Sequence, residues 1–152
     1  MNDNIDLNKL PPDVKKEFMK YALKLSEKKT KSKVYDDFLT FVKHVWPEFI
    51  EGDHHKIIAE KFNRLARGEV KRLIINMPPR HTKSEFASNL LPAWMIGRKP
   101  DLKIIQTTHT TELAVRFGRK AKTLIDSPEY QQMFKTRLRE DSQAAGKWET
   151  EQ

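Results

Sequence analysis

The chain contains no cysteine. Disulfide scaffolds, thiolate metal sites and cysteine nucleophiles are therefore excluded. Glycine is scarce, with 5 in 152 residues. No apolar run approaches the roughly 18 residues that a membrane-spanning helix needs. The opening Met1-Asn2-Asp3-Asn4 is polar and acidic, unlike the basic start of a secretory signal. The expectation is a cytosolic-type protein with no membrane partner. What the chain has in quantity is charge. Charged residues make up 33% and apolar ones 38%, and 29 Lys and Arg against 21 Asp and Glu leave a net charge of +8. A core can form, but not a generous one. The length suits one domain. The basic excess suits a polyanionic partner, nucleic acid or nucleotide.

Residues 1–10 carry no periodic pattern and read as a loose arm. Pro12 and Asp13 open a basic amphipathic helix with Val14, Phe18, Ala22 and Leu25 at helical spacing. Lys28-Lys29-Thr30-Lys31-Ser32-Lys33 reads as a solvated linker. The expected division is therefore 1–34, arm and basic helix, and 35–152, the main domain. Further helices are expected over 36–46, ended by Pro47, and over 53–67, stopped by Gly68. Arg72-Leu73-Ile74-Ile75-Asn76 is short, β-branched and apolar, as in a strand buried on both faces of a parallel sheet. A loop, 77–82, leads to a helix over 83–96 that Pro92 should kink. Residues 102–107 read as a second strand. A helix capped by Thr110 or Thr111 and a short helix from Ser127 to Phe134 follow. Residues 135–152 are polar. The order predicts an α/β fold: an incomplete parallel sheet of the phosphate-loop NTPase type, preceded by N-terminal helices.

A strand, a tight loop and a helix opening on Lys83-Ser84 form the architecture of a phosphate-binding loop. Unpaired N–H groups and the positive dipole end at a helix start favour an anion. A lysine there reaches the β and γ phosphates, and the hydroxyl after it faces Mg²⁺. The usual pattern is G-x-x-x-x-G-K-[ST]. Lys83 and Ser84 fit it. Met77 and Thr82 stand where it has glycine. A threonine at positive φ would be strained.

The stretch Leu73-Ile74-Ile75-Asn76-Met77-Pro78-Pro79-Arg80-His81-Thr82-Lys83-Ser84-Glu85 resembles the ATP-binding loop of tailed-phage terminase large subunits. In that loop variant prolines set the shape that glycines set elsewhere. Three further segments are similar to the family in the same order: His54–Ala59, Ile105–Ala114 with Arg116–Arg119, and Ser142–Thr150. The resemblance spans roughly residues 36–150. It implies a DNA-packaging motor that binds ATP and Mg²⁺. Pro79, Arg80, His81, Thr82, Lys83 and Ser84 would form the phosphate site. Lys83 would hold the phosphates, Arg80 the γ-phosphate during transfer, and Ser84 the Mg²⁺ side. His55 would lie on the adenine side. The implied partners are double-stranded DNA, the phage portal and the small terminase subunit. Homo-oligomers are implied only for a complete motor. The implied place is the host cytoplasm, transiently at the procapsid portal.

The family also needs an apolar strand ending in paired acids, and a nuclease domain. Here the paired acids are Asp36-Asp37 and Glu140-Asp141, and neither follows a Val/Ile/Leu run. The expectation is the N-terminal ATP-binding portion of such a motor, marginally stable and inactive by itself. Two alternatives stand beside it: a non-catalytic remnant that binds nucleotide, DNA or the motor, and an unrelated helicase-type NTPase. His54 and His55 are expected on different helix faces, which disfavours a zinc site. Arg116, Arg119 and Lys120 either touch DNA or ATP or form a solvated face. Trp46 and Trp94 are expected in the core, and Trp148 at its edge.

Overall fold

The structure, a computed structural model, describes residues 11–143 and 147–151. The expected loose arm, 1–10, lies outside the described residues, as does part of the Ser142–Thr150 segment. The chain divides into a unit ending at Ser32 and a unit beginning at Lys33.

Helix α1 runs Pro12–Asp36. The expected linker at 28–33 is helix instead. Lys and Glu are good helix formers, and no Gly or Pro interrupts the run, so charge alone does not unwind it. In the first unit Val14, Phe18, Tyr21 and Leu25 are exposed.

The second unit opens with the last turn of α1. Asp37 then caps α2, Phe38–Val45, and its carboxylate accepts from the Thr40 amide at 2.7 Å. Asn63 donates to the same carboxylate and accepts from the Phe38 amide, tying α2 to α3, Asp53–Ala66. Helix α3 ends as expected at Gly68, whose φ of 78° suits a residue without a side chain. Gly68 N–H donates to Leu65 O and Glu69 N–H to Arg64 O, a paired closure that satisfies the last carbonyls.

The helix expected over 83–96 has two parts. Residues 85–90 are π-helical, and α4, Leu91–Arg98, follows. Pro92 has no N–H for the Ser88 carbonyl, and the side chain of Gln106 supplies a donor there at 3.1 Å. Helices α5, Thr111–Ile125, and α6, Pro128–Met133, are capped by Thr110 and Ser127. The polar stretch at the end pairs into an antiparallel hairpin, β1 (Leu138–Gln143) with β2 (Trp148–Thr150).

The expected parallel sheet is absent among the described residues, a correction to the sequence reading. These residues are mostly helical, and their one sheet is this two-stranded antiparallel hairpin. Residues 72–78 and 102–108 form neither helix nor strand and join no ladder. They keep the strand alternation all the same. Leu73, Ile75 and Met77 pack on the core, while Ile74 is 86% exposed and Ile105 is 91% exposed. A strand needs a neighbour to accept its backbone hydrogen bonds, and no described segment lies alongside as one.

The core is aromatic and helical. Phe38 is fully buried, edge-on to Phe62 at 5.0 Å, Phe86 at 5.4 Å and Trp94 at 5.4 Å. Trp94 donates from its indole to Val34 O at 2.8 Å, and Tyr130 donates its hydroxyl to Ala93 O at 2.9 Å. Trp46 and Trp148 pack at the rim.

Candidate functional site

The loop at 77–84 connects the segment before it to the π-helical stretch. Its backbone is unusual at two places. Arg80 has φ 65° and Thr82 has φ 58°. Left-handed backbone costs a side-chain-bearing residue about 1–2 kcal/mol, and β-branching adds to the strain. Such strain persists where the surroundings impose it, and it concentrates at functional sites. Thr82 holds the position where the phosphate-loop pattern has its second glycine. At this one position the backbone is left-handed although the residue is not glycine.

Thr82 C=O accepts from Phe86 N–H at 2.9 Å, so the helical run starts at Thr82. A threonine there would ordinarily cap the next amides with its hydroxyl. This one does not. Its Oγ1 donates to His81 O at 2.7 Å and meets His55 Nε2 at 2.6 Å. The amides of Lys83, Ser84 and Glu85 consequently have no side-chain cap among the described residues. His81 turns its Nδ1–H to Pro79 O at 2.9 Å, which closes the loop on itself.

Arg80, His81, Lys83 and Ser84 are exposed. Arg80 and Lys83 have no ion pair among the described residues. Glu85, the nearest acid in the chain, is engaged elsewhere: Lys120 on α5 pairs with one oxygen and Asn89 donates to the other. The Lys83 ammonium has no counter-charge among the described residues. Other basic residues are already used, since Arg64 and Arg67 pair with Glu69, and Lys61 with Glu60. The basic run of 61–83 is in that part a self-neutralised helix face. Arg116 and Arg119 line a groove with Glu85, Asn89, Val45 and Trp46.

His55, expected on the adenine side of the site, lies beneath the loop against Thr82. It is 5% exposed, against Phe49 at 4.8 Å and Phe86 at 5.0 Å. Gly52 N–H donates to its Nδ1 at 2.9 Å, so the ring proton lies on Nε2 and points to Thr82. Both ring nitrogens have partners within the chain. The available signal for this was its place, third in a helix after Gly52, where Glu or Gln often reaches back to the preceding amide. The rings of His54 and His55 also depart from expectation. They lie 3.8 Å apart rather than on separate faces. Gly52 makes this possible, since a Cβ there would meet His54 Cε1 at 2.9 Å. Among the described residues no group of three metal-ligating side chains is arranged around a common point.

The paired acids stand apart from the loop in function. Asp37 is the α2 cap, and Asp141 is paired with Arg139 at 2.6 Å. Burial opposes the charge on Asp37, but hydrogen bonds from Thr40 and Asn63 outweigh it and hold its pKa below the usual carboxylate value.

Burial lowers the pKa of His55, and the adjacent His54 and His81 imidazoles push the same way against Glu51. The folded state therefore prefers the neutral ring. The unfolded chain takes up the proton first as pH falls below 6.5, the ordinary value. Stability from this site is complete above that pH and declines as pH drops through the lowered folded value. The thermal midpoint is expected to fall as pH drops below 6.5. The fall should be smaller in His55→Gln. Equal pH slopes for the two proteins would contradict the assignment of a neutral, buried ring.

No protein family, no curated protein and no solved structure matches the chain.

Proposed function

We propose that the 77–84 loop binds the phosphates of a nucleoside triphosphate, and that the chain is the ATP-binding portion of a DNA-packaging motor of the terminase large-subunit kind. The observation that carries the first half is the left-handed backbone at Thr82 directly before Lys83-Ser84, with the next amides uncapped. The sequence resemblance of 73–85 carries the second half.

In this reading the amides of 83–85 take phosphate oxygens, helped by the helix dipole. Lys83 sets its ammonium against the β and γ phosphates. Arg80, exposed in the same loop, would meet charge that develops on the γ-phosphate. Ser84, exposed, is the residue that would face Mg²⁺, which neutralises phosphate charge when bound. Pro79 and His81 shape the loop. Glu85, the acid beside the loop, is engaged by Lys120 and Asn89, so the proposal for this chain alone is binding without appreciable turnover. Double-stranded DNA, a portal, a small terminase subunit, self-association in a complete motor and the host cytoplasm belong to the same proposal.

The test separates phosphate from base. Backbone amide signals are followed while ATP, inorganic triphosphate or AMP is added with Mg²⁺. ATP and triphosphate are expected to move the signals of 80–85, and AMP, lacking the β and γ groups, to leave them in place. Equal responses to ATP and AMP, or responses confined to other residues, would sink the phosphate reading.

A further inference from the structure

We propose that His55 is the positioning residue of the 77–84 loop, holding a threonine in the left-handed backbone that phosphate loops otherwise give to glycine and keeping the helix amides open. The inference rests on reading that loop as a phosphate site.

Three hydrogen bonds run in one direction. Gly52 N–H donates to His55 Nδ1, His55 Nε2–H donates to Thr82 Oγ1, and the Thr82 hydroxyl donates to His81 O. Each donor meets an acceptor, so the neutral Nε2–H ring fits both sides at once. The ring itself cannot swing, because Phe49 and Phe86 pack against it and it is almost wholly buried. A rigid donor thus fixes the Thr82 side chain, and through it the φ of 58°.

The same bonds have a second effect. Ser and Thr at a helix start usually accept from the second or third amide and satisfy it. His55 and His81 O together occupy the Thr82 hydroxyl, so it is diverted from that role. The amides that a glycine loop leaves open, because glycine has no side chain, stay open here because the side chain is held away. In this way His55 and Thr82 together do what one glycine does elsewhere, and a double substitution can separate the two.

The full chain is used as wild type, with each of His55→Ala, His55→Gln and Thr82→Gly, and with His55→Ala and Thr82→Gly combined. Affinity for Mg²⁺-ATP is measured by calorimetry. Amide hydrogen exchange at 82–85 is measured without ligand, with the ring ¹⁵N shifts of His55. His55→Ala is expected to weaken ATP binding about 10- to 100-fold and to slow exchange at 84–85, because the released Thr82 hydroxyl can then cap those amides. His55→Gln, which offers an acceptor and a donor on one amide, recovers most of the loss. In the Thr82→Gly background, His55→Ala changes affinity by less than about two-fold, because no strained side chain remains to be held. An equal loss in both backgrounds would mean that His55 acts on the ligand itself and would overturn the proposal, as would no loss in either. If wild type binds no ATP, the phosphate reading fails, and ligand-free exchange still decides: unchanged exchange in His55→Ala refutes the positioning role. Should His55→Ala not fold, Thr82→Val cuts the same link from its other end and must move the His55 Nε2 signal; an unmoved signal would show that the Thr82 hydroxyl takes no proton from the ring and would overturn the proposal.

Discussion

Lys83→Ala is expected to weaken ATP binding by about 2–3 kcal/mol, roughly 30- to 150-fold, the worth of a charge-assisted contact. The size follows from how the side chain is left in the structure. Lys83 is exposed and without an ion pair among the described residues, while the neighbouring Glu85 is held by Lys120 and Asn89. Its removal breaks no internal bond, so the thermal midpoint should stay within about a degree or two of wild type, as for ordinary surface changes. Calorimetry with Mg²⁺-ATP reads the first quantity and a melting curve the second. Equal affinity in the two proteins would count against the whole site, because Lys83 is the positive charge that stands at the start of the helix.

Phe38→Ala carries the largest expected loss of stability, about 3–5 kcal/mol. Phe38 is fully buried, with three ring edges against Phe62, Phe86 and Trp94. Truncation leaves a cavity under three rings that belong to three different helical segments, and such a cavity closes poorly. Small domains have about 5–15 kcal/mol in total, so the variant is expected at the edge of folding. Phe38→Leu should cost less, about 1–1.5 kcal/mol. Denaturant unfolding distinguishes them, and a loss below about 1 kcal/mol for alanine would show that α2 is not the centre of the core. The core also reaches the loop, since Phe86 touches both Phe38 and His55. Loss of Phe38 should loosen the ring that positions Thr82.

Much of the helical plan is legible from residue order. Asp37, Thr110 and Ser127 announce helix starts, and Gly68 announces a stop. The buried faces of α2 and α3 follow from Phe38, Val42, Ile58 and Phe62 at helical spacing. Two features are not legible. The lysine-rich 28–33 looks like a linker by charge, yet helix propensity there is high and nothing breaks it. The terminal hairpin hides because its pairing is carried by polar side chains such as Arg139 and Glu149, 2.9 Å apart, which give no apolar alternation. The two expected strands show what a local pattern can and cannot specify. Leu73, Ile75 and Met77 alternate with Ile74 and Asn76 as in a strand, but a sheet also requires a neighbour, and no residue in the segment supplies one.

The candidate site divides in the same way. The Lys83-Ser84 helix start and the role of Thr82 in breaking the glycine pattern can be read directly from the sequence. How threonine is tolerated there cannot, because the answer lies 27 residues earlier, in a histidine whose contact with Thr82 exists only in the folded chain.

The most direct test is a crystal structure of the chain with Mg²⁺ and a non-hydrolysable ATP analogue. The expected result is β- and γ-phosphate oxygens on the amides of residues 83–85, the Lys83 ammonium against them, and Thr82 still turned to His55. An analogue seated elsewhere, such as the groove lined by Arg116 and Arg119, with the 77–84 loop bare, would contradict the account.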